Sequence, residues 1–263
     1  MTKSIGIDIG SLNTKVIVFG NDGILGNAVG PTGDDVETEA RNVLNSALSR
    51  IDLSLDGLPI TATGTGAKQV SFALQQKSVN TCLARGIHYL YPSVQMVIDM
   101  GAESTTVVKL NSRGRLEDWA NHDKCASGTG LFLQQMAKLM KLSLEDMSIL
   151  SMGAEGRADI TNTCAVFAES EVISHVHRVL PTPMPDIAAG IYYSVVSRVI
   201  ALCKRIGIER DIAVVGGVSL IDGIIHSLES ELGFKVLRPE FPQSVAALGA
   251  AIIAKENAEK AQR

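Results

Sequence analysis

The chain has 263 residues, with 24 Lys and Arg against 28 Asp and Glu and a formal net charge of -4. At 46% hydrophobic and 4% aromatic residues it can bury a sizeable core but offers few rings for stacking on bases, and its mild acidity excludes a generic nucleic-acid binder, which needs a basic stripe. No apolar stretch reads as the roughly 18 residues that a membrane span needs, and Asp8 inside the first apolar run argues against a secretory signal. Four cysteines (Cys82, Cys125, Cys164, Cys203) are too few for a disulfide scaffold of this length, so a cytoplasmic protein with reduced thiols is expected.

In chain order, residues 7–23 (IDIGSLNTKVIVFGNDG) predict a strand, a tight Gly turn and a returning strand. Residues 36–51 place Val36, Ala40, Val43, Leu44, Ala47, Leu48 and Ile51 on one helical face. Residues 58–64 (LPITATG) read as a strand ending at a Gly turn. Residues 98–114 (IDMGAESTTVVKLNSRG) repeat the first hairpin at an offset of 91, with Asp8 on Asp99, Gly10 on Gly101, Thr14 on Thr105, Val16 on Val107 and Gly23 on Gly114. A third strand follows at 116–122, with Trp119 expected in the core or in packing between lobes. Residues 129–140 predict a helix with Leu131, Phe132, Met136, Leu139 and Met140 buried. A second helix follows Cys164, with Val166, Phe167, Ile173 and Val176 at helical spacing; His175 and His177 are taken as surface or packing residues. PTPMP at 181–185 reads as a loop, with Asp186 as the N-cap of a long helix that turns Ile187, Ile191, Val195, Val199 and Cys203 inward. Residues 213–218 (AVVGGV) read as a buried strand entering a Gly-Gly turn, and the polar segment after Lys255 is expected to fray. The expected organisation is α/β with two lobes around one cleft: residues 1–95 plus the C-terminal helix 246–263, and residues 96–245.

Each Asp-x-Gly turn joins two strands rather than a strand and a helix, so neither is a Walker loop or a dinucleotide fingerprint. Phosphate binding still fits, because glycine lets backbone approach closely and successive N–H groups form an anion nest. Ser11 and Thr14 add hydroxyls, Lys15 adds a point charge, and Asp8 and Asp99 are placed to hold a hydrated magnesium ion. Gly216 and Gly217 would let backbone approach a flat nucleoside. Cys125 (in DKCASGTG) and Cys164 (in TNTCAVFAESEVISH) each precede a predicted helix, where the helix dipole favours a thiolate. They are either small core residues or sulfur ligands. Two thiols are too few for an iron–sulfur cluster, and a two-fold dimer would supply four. Cys82 and Cys203 read as core.

The order hairpin, hairpin, strand-Gly-Gly resembles the actin, hexokinase and heat-shock ATPase superfamily, which implies two ribonuclease-H-like lobes with ATP and magnesium. DKCASGTG, TCAVFAESEVIS, GIDIGSLNTK and AALGAA together resemble the activator ATPases of 2-hydroxyacyl-CoA dehydratases and the ATP-binding subunits of benzoyl-CoA reductase, over nearly the whole chain. The resemblance implies a dimer, of identical or similar subunits, bridged by one four-iron four-sulfur cluster on Cys125 and Cys164. It implies ATP hydrolysis driving one electron from ferredoxin or flavodoxin into a CoA-ester dehydratase or reductase, with neither nucleic acid nor membrane as partner. Gly10, Ser11, Leu12, Asn13, Thr14 and Lys15 correspond to the first phosphate loop, Gly101, Ala102 and Glu103 to the second (Glu103 as the acid beside the attacking water), and Gly216, Gly217 and Gln243 to the nucleoside side. The chain departs from the activators at Ala102-Glu103-Ser104, at Leu220-Ile221 and at Thr65-Gly66-Ala67, and its Gly-Ala second loop is closer to the reductase subunits. A small-molecule kinase of the same superfamily explains the loops but not both cysteines; an assembly or regulatory ATPase treats the cysteines as core.

Overall fold

Strand β1 (Ser4–Ile9) is buried at all six positions, so both of its faces must be covered. The computed structural model, which describes residues 3–73, 75–122 and 129–262, covers it with a helix on each side. β1 pairs antiparallel with β2 (Asn13–Gly20), which pairs with β3 (Gly23–Pro31). On its other edge β1 runs parallel to β4 (Ile60–Thr63), which pairs with the short β5 (Gln75–Gln76), giving the order β3-β2-β1-β4-β5. The strand period of two divides β2: Val16 and Val18 join β1 and helix α1 (Val36–Ser49), whereas Ile17 and Phe19 face the C-terminal helix α8 (Val245–Ala261). Asp35 caps α1, its carboxylate accepting from the Thr38 N–H at 3.2 Å.

Helix α2 (Val79–Leu90) and α8 cross at backbone contact. An added Cβ on Gly249 would stand 1.8 Å from the Cys82 carbonyl oxygen, one on Gly86 2.2 Å from that of Val245, and one on Gly6 of β1 1.9 Å from that of Ala247. Three glycines thus let α8 lie on both α2 and the sheet.

The second sheet has the order β8-β7-β6-β9, built from β6 (Met96–Met100), β7 (Thr105–Leu110), β8 (Leu116–His122) and β9 (Ile212–Val215). Helices α3 (Gly130–Leu139), α4 (Leu144–Met152), α5 (Ala165–His177), α6 (Met184–Ile206) and α7 (Asp222–Leu232) complete the chain, with α6 packed on α4, α5 and α7. The chain divides into two compact units, residues 1–97, 108–117 and 240–263, and residues 98–107 and 118–239.

Several expectations are corrected. α6 begins at Met184 with Pro185 in its first turn, where the missing N–H costs nothing. Asp186 therefore lies inside the helix, and its carboxylate accepts the Gly156 N–H at 3.1 Å instead of capping. α6 is also long and apolar enough, by length and composition, to cross a membrane, contrary to the sequence reading; 61% of its apolar window is buried inside the protein. Residues 255–261 are helical rather than frayed, because Lys255 donates to Asn21 at 2.6 Å, Asn257 to Gln75 at 2.8 Å, and Arg85 pairs with Glu256. Trp119 is 47% exposed on β8, an edge strand, rather than core.

Because the Gly249 contact is backbone against backbone, Gly249→Ala has no side chain to push aside. It is expected to lower unfolding stability by about 3 kcal/mol, read as a drop in the denaturant midpoint. A change under about 0.5 kcal/mol would show that α8 does not need this close approach.

Candidate functional site

The first turn is built from β1 and β2. Register places Asp8 opposite Lys15 and Ile9 opposite Thr14, and the turn closes with the Gly10 N–H on the Asn13 carbonyl at 3.0 Å. Asp8 is buried, and Lys15 Nζ sits 3.1 Å from its carboxylate oxygen. The wholly buried Thr14 hydroxyl meets Thr32 Oγ1 at 3.1 Å, and Thr32 donates to the Gly10 carbonyl at 2.7 Å. Gly10 and Asn13 are half-buried, while Ser11 and Leu12 are exposed at the tip. The turn therefore offers a rigid backbone, a carboxylate, an ammonium and an exposed hydroxyl within one hairpin.

The second turn repeats the geometry at the 91-residue offset. The Gly101 N–H donates to the Ser104 carbonyl at 2.8 Å, the same glycine-to-third-residue bond as Gly10 to Asn13. Thr105, in the place of Thr14, is buried as well. Asp99 is half-buried at the end of β6, Gly101 and Ala102 are half-buried, and Glu103 is exposed at the tip. The carbonyls of Gly101 and Ala102 each accept, at 3.0 Å, the N–H of Gly130 and Leu131, the first two amides of α3. Those donors have no partner inside a helix, so the turn satisfies them.

Two glycines complete the aspartate sites. Gly64 follows β4, the parallel neighbour of β1, with φ +94°; a Cβ there would stand 2.7 Å from Asp8 Oδ1 and 2.2 Å from the Ile9 oxygen. Gly216 follows β9, the neighbour of β6, with φ +86°; a Cβ there would stand 2.5 Å from Asp99 Oδ1 and 2.4 Å from the Met100 oxygen. The strand-turn pair and its pressing glycine thus occur twice. Sequence reasoning had Gly216 as a nucleoside contact and Gly64 only as a turn; their shared role beside an aspartate was missed, although both follow short apolar strands. Gly217 is exposed at the start of the helical turn 217–220. That turn is tied by Ser219 Oγ to the Gly216 carbonyl at 2.7 Å and by Arg238, which donates to the Ser219 carbonyl at 3.1 Å and Asp222 at 2.7 Å. Arg238 carried no sequence signal. Gln243 is half-buried in the turn 242–244 that leads into α8, in the unit that holds Asp8.

Cys164 is the N-cap of α5, half-buried, with no side-chain capping bond. Cys125 lies outside the described residues. Among the described residues no group of three or more His, Cys, Asp or Glu forms a closed metal site. A thiol at a helix N-terminus still has the donor chemistry that an iron–sulfur cluster takes from each of its ligands. The helical face named from spacing is reversed: Val166, Phe167 and Ile173 are 66%, 64% and 43% exposed, whereas Ala168, Val172 and His175 are buried. His175 is a packing residue, its ring nitrogens meeting Thr182 Oγ1 at 2.8 Å and the Asp159 carbonyl at 3.3 Å. Glu171 accepts the Thr161 N–H at 2.6 Å, so it is a loop anchor. Burial pushes the thiols of Cys82 and Cys203 up to about 12.

The sequence pattern of the BadF/BadG/BcrA/BcrD ATPase family matches residues 5–254. The 2-hydroxyisocaproyl-CoA dehydratase activator of Clostridioides difficile is 36% identical over 99% of this chain and 97% of its own. The crystal structure of the Acidaminococcus fermentans (R)-2-hydroxyglutaryl-CoA dehydratase component A superposes with a TM-score of 0.93, at 33% identity over 98% of this chain and 100% of that one. One of the benzoyl-CoA reductase polypeptides of Thauera aromatica is 28% identical over 100% of this chain and 96% of its own. Overall likeness therefore lies nearer the activators than the Gly-Ala turn indicated. A ROK family glucokinase from Streptomyces griseus, 12% identical with a TM-score of 0.57, shares the fold. The fold is thus α/β, with two ribonuclease-H-like lobes, of the actin, hexokinase and heat-shock ATPase superfamily.

Brief alkylation with iodoacetamide at pH 8, read by mass spectrometry, is expected to modify Cys164 and spare Cys82 and Cys203. The two buried thiols stay neutral in the native protein but ionise near 9 when unfolded, so native stability falls as the pH rises from about 9 toward 12. Labelling of Cys82 as fast as of Cys164 would contradict that burial. Gly216→Ala is expected to cost about 2–4 kcal/mol in a denaturant melt, because both its φ and the Asp99 carboxylate exclude a Cβ.

Proposed function

Because the chain belongs to the BadF/BadG/BcrA/BcrD ATPase family, we propose that it is a cytoplasmic ATPase that activates a CoA-ester dehydratase by delivering single low-potential electrons. The carrying observation is the likeness, over nearly the full length of both chains, to the C. difficile activator. An activator of this kind takes its electron from ferredoxin or flavodoxin and works as a dimer.

The residues divide the work. Glycine-to-third-residue turns hold Gly10–Lys15 and Gly101–Glu103 as phosphate-binding backbone, and Lys15 adds positive charge to the first. Asp8, pressed by Gly64, would hold a hydrated magnesium ion, and Asp99, pressed by Gly216, is the corresponding carboxylate of the second turn. Glu103, exposed at its turn, orients the attacking water; Gly216, Gly217 and Gln243 serve the nucleoside. Cys125 and Cys164 of each of two chains hold a four-iron four-sulfur cluster, which supplies one-electron chemistry when bound. The exposed Val166 and Phe167 beside Cys164 meet the second copy.

Coupling between ATP and the sulfur ligands has a covalent and hydrogen-bonded route. The second turn is bonded to the first amides of α3, and Gly130 follows Cys125 by five positions, so a displacement of Gly101 and Ala102 is felt at the start of that helix. Two discrete positions of the turn, selected by nucleotide, would gate docking of the partner and electron release.

A second reading, the ATP-binding subunit of a benzoyl-CoA reductase, rests on the Gly101-Ala102 turn and the 28% identity to the T. aromatica polypeptide. The higher identity to the activator favours the first. The kinase reading rests on fold alone.

Protein purified without oxygen is expected to be brown, and Cys164→Ser to lose the visible absorbance while still binding ATP. Full absorbance in that variant would remove Cys164 as a ligand. Asp8→Asn is expected to lower the ATPase kcat by about 100-fold with the cluster intact, measured by phosphate release. An unchanged kcat would take Asp8 out of the magnesium site.

A further inference from the structure

The three residues before Cys164 are each tied down by a side chain from a neighbouring helix. Glu171 of α5 accepts the Thr161 N–H at 2.6 Å, and Asn162 Nδ2 donates to Ser197 of α6 at 2.7 Å. Arg198 of α6 donates through Nε to the Asn162 carbonyl and through Nη2 to the Thr163 carbonyl at 2.9 Å. Its remaining nitrogen, Nη1, is shut off from solvent with no hydrogen-bond partner among the described residues. Cys164 itself, next in the chain, makes no side-chain capping bond. A guanidinium is a planar fork with fixed donor directions, so two bonds to successive carbonyls set the orientation of both peptide planes. In a trans peptide the C=O and the following N–H point opposite ways. With the 162 and 163 oxygens held on Arg198, the N–H groups of Thr163 and Cys164 are turned the other way, that of Thr163 onto the Thr161 hydroxyl at 3.3 Å.

Carbonyl oxygens beside an anionic sulfur are repulsive and amide N–H groups are attractive. We infer that Arg198 is the positioning residue for the Cys164 sulfur: it withdraws the two nearest upstream carbonyls onto a half-buried guanidinium and fixes the backbone that presents the thiol to the cluster. The inference rests on the assignment of Cys164 as a cluster ligand. The long helix α6 anchors the arrangement, since Ser197 and Arg198 lie between its inward positions Val195, Val196 and Val199, all buried. A cation bonded to the two carbonyls that precede a cluster ligand would favour the more negative, reduced form of a cluster bound there, so its removal would lower the reduction potential.

The test uses full-length Arg198→Gln, which removes fork and charge, and Arg198→Lys, which keeps charge but cannot fork. Circular dichroism and thermal melting confirm the fold of each. In protein without cluster, amide exchange in residues 161–168 is expected to quicken by at least about tenfold in both variants relative to wild type. In reconstituted protein, Arg198→Gln is expected to lower the cluster potential and to alter its electron paramagnetic resonance spectrum. Arg198→Lys should hold the potential nearer wild type while sharing the altered spectrum. If exchange in Arg198→Gln matches wild type, the clamp does not exist. If exchange quickens but potential and spectrum stay as in wild type, Arg198 only fastens a loop, and the inference falls. Should Arg198→Gln fail to fold, a wild-type exchange pattern and spectrum in Arg198→Lys would overturn it equally. Failure of the ligand assignment itself is a separate result: a Cys164→Ser protein that retains the full cluster.

Discussion

A carboxylate held under a glycine organises the protein. Asp8 and Asp99 each sit one residue before the end of a strand, and each lies against a residue of the neighbouring strand's exit, Gly64 or Gly216, that has positive φ and no room for a Cβ. The contact confines the carboxylate and the carbonyl of the next residue at once. Each strand then ends in a tight turn, which both close with the same bond from glycine to the third residue on. The 91-residue echo in the sequence is the chemical trace of this repeated constraint. An ordinary pair of hairpins would share alternation of apolar residues, but would not require a glycine at the end of a different strand.

The second turn carries an added connection. Its carbonyls complete the N-terminus of α3, so that helix cannot start where it does unless the turn is formed. In the same unit, the loop before Cys164 is fixed from α5 and α6 rather than from a turn. The start of α3 and the loop before Cys164 are thus held by different means. The first is bonded to the Gly101–Ala102 turn, and the second is clamped to α6.

Packing of the remaining elements follows from small residues. Gly6, Gly86 and Gly249 let α8 approach β1 and α2 to backbone contact, and the alanines of α8 extend that surface. The helix then carries little amphipathic signal, since Val245 through Ala254 are all buried. Its polar end stays helical because Lys255, Glu256 and Asn257 each find a partner on an adjoining element.

Period in the chain was enough to identify α1 and the inward face of α6, because each of these buries one regular stripe of side chains; the hairpins were legible from their Gly turns, and the strand 116–122 is present although only its Ala120 is buried. The sequence also contained both aspartate turns, since Asp-x-Gly is local. What it could not determine was which apolar face of α5 is covered. Val166, Phe167 and Ile173 have the spacing of a core stripe, yet Ala168, Val172 and His175 face inward. That choice is made by neighbours distant in sequence, through Thr182 and Asp159 on His175 and Thr161 on Glu171. The pairing of Gly64 with Asp8, of Gly216 with Asp99 and of Arg198 with the 162–163 carbonyls was likewise decided only in the tertiary structure. A local pattern records what one element needs, whereas a contact between elements depends on where the fold brings the other partner.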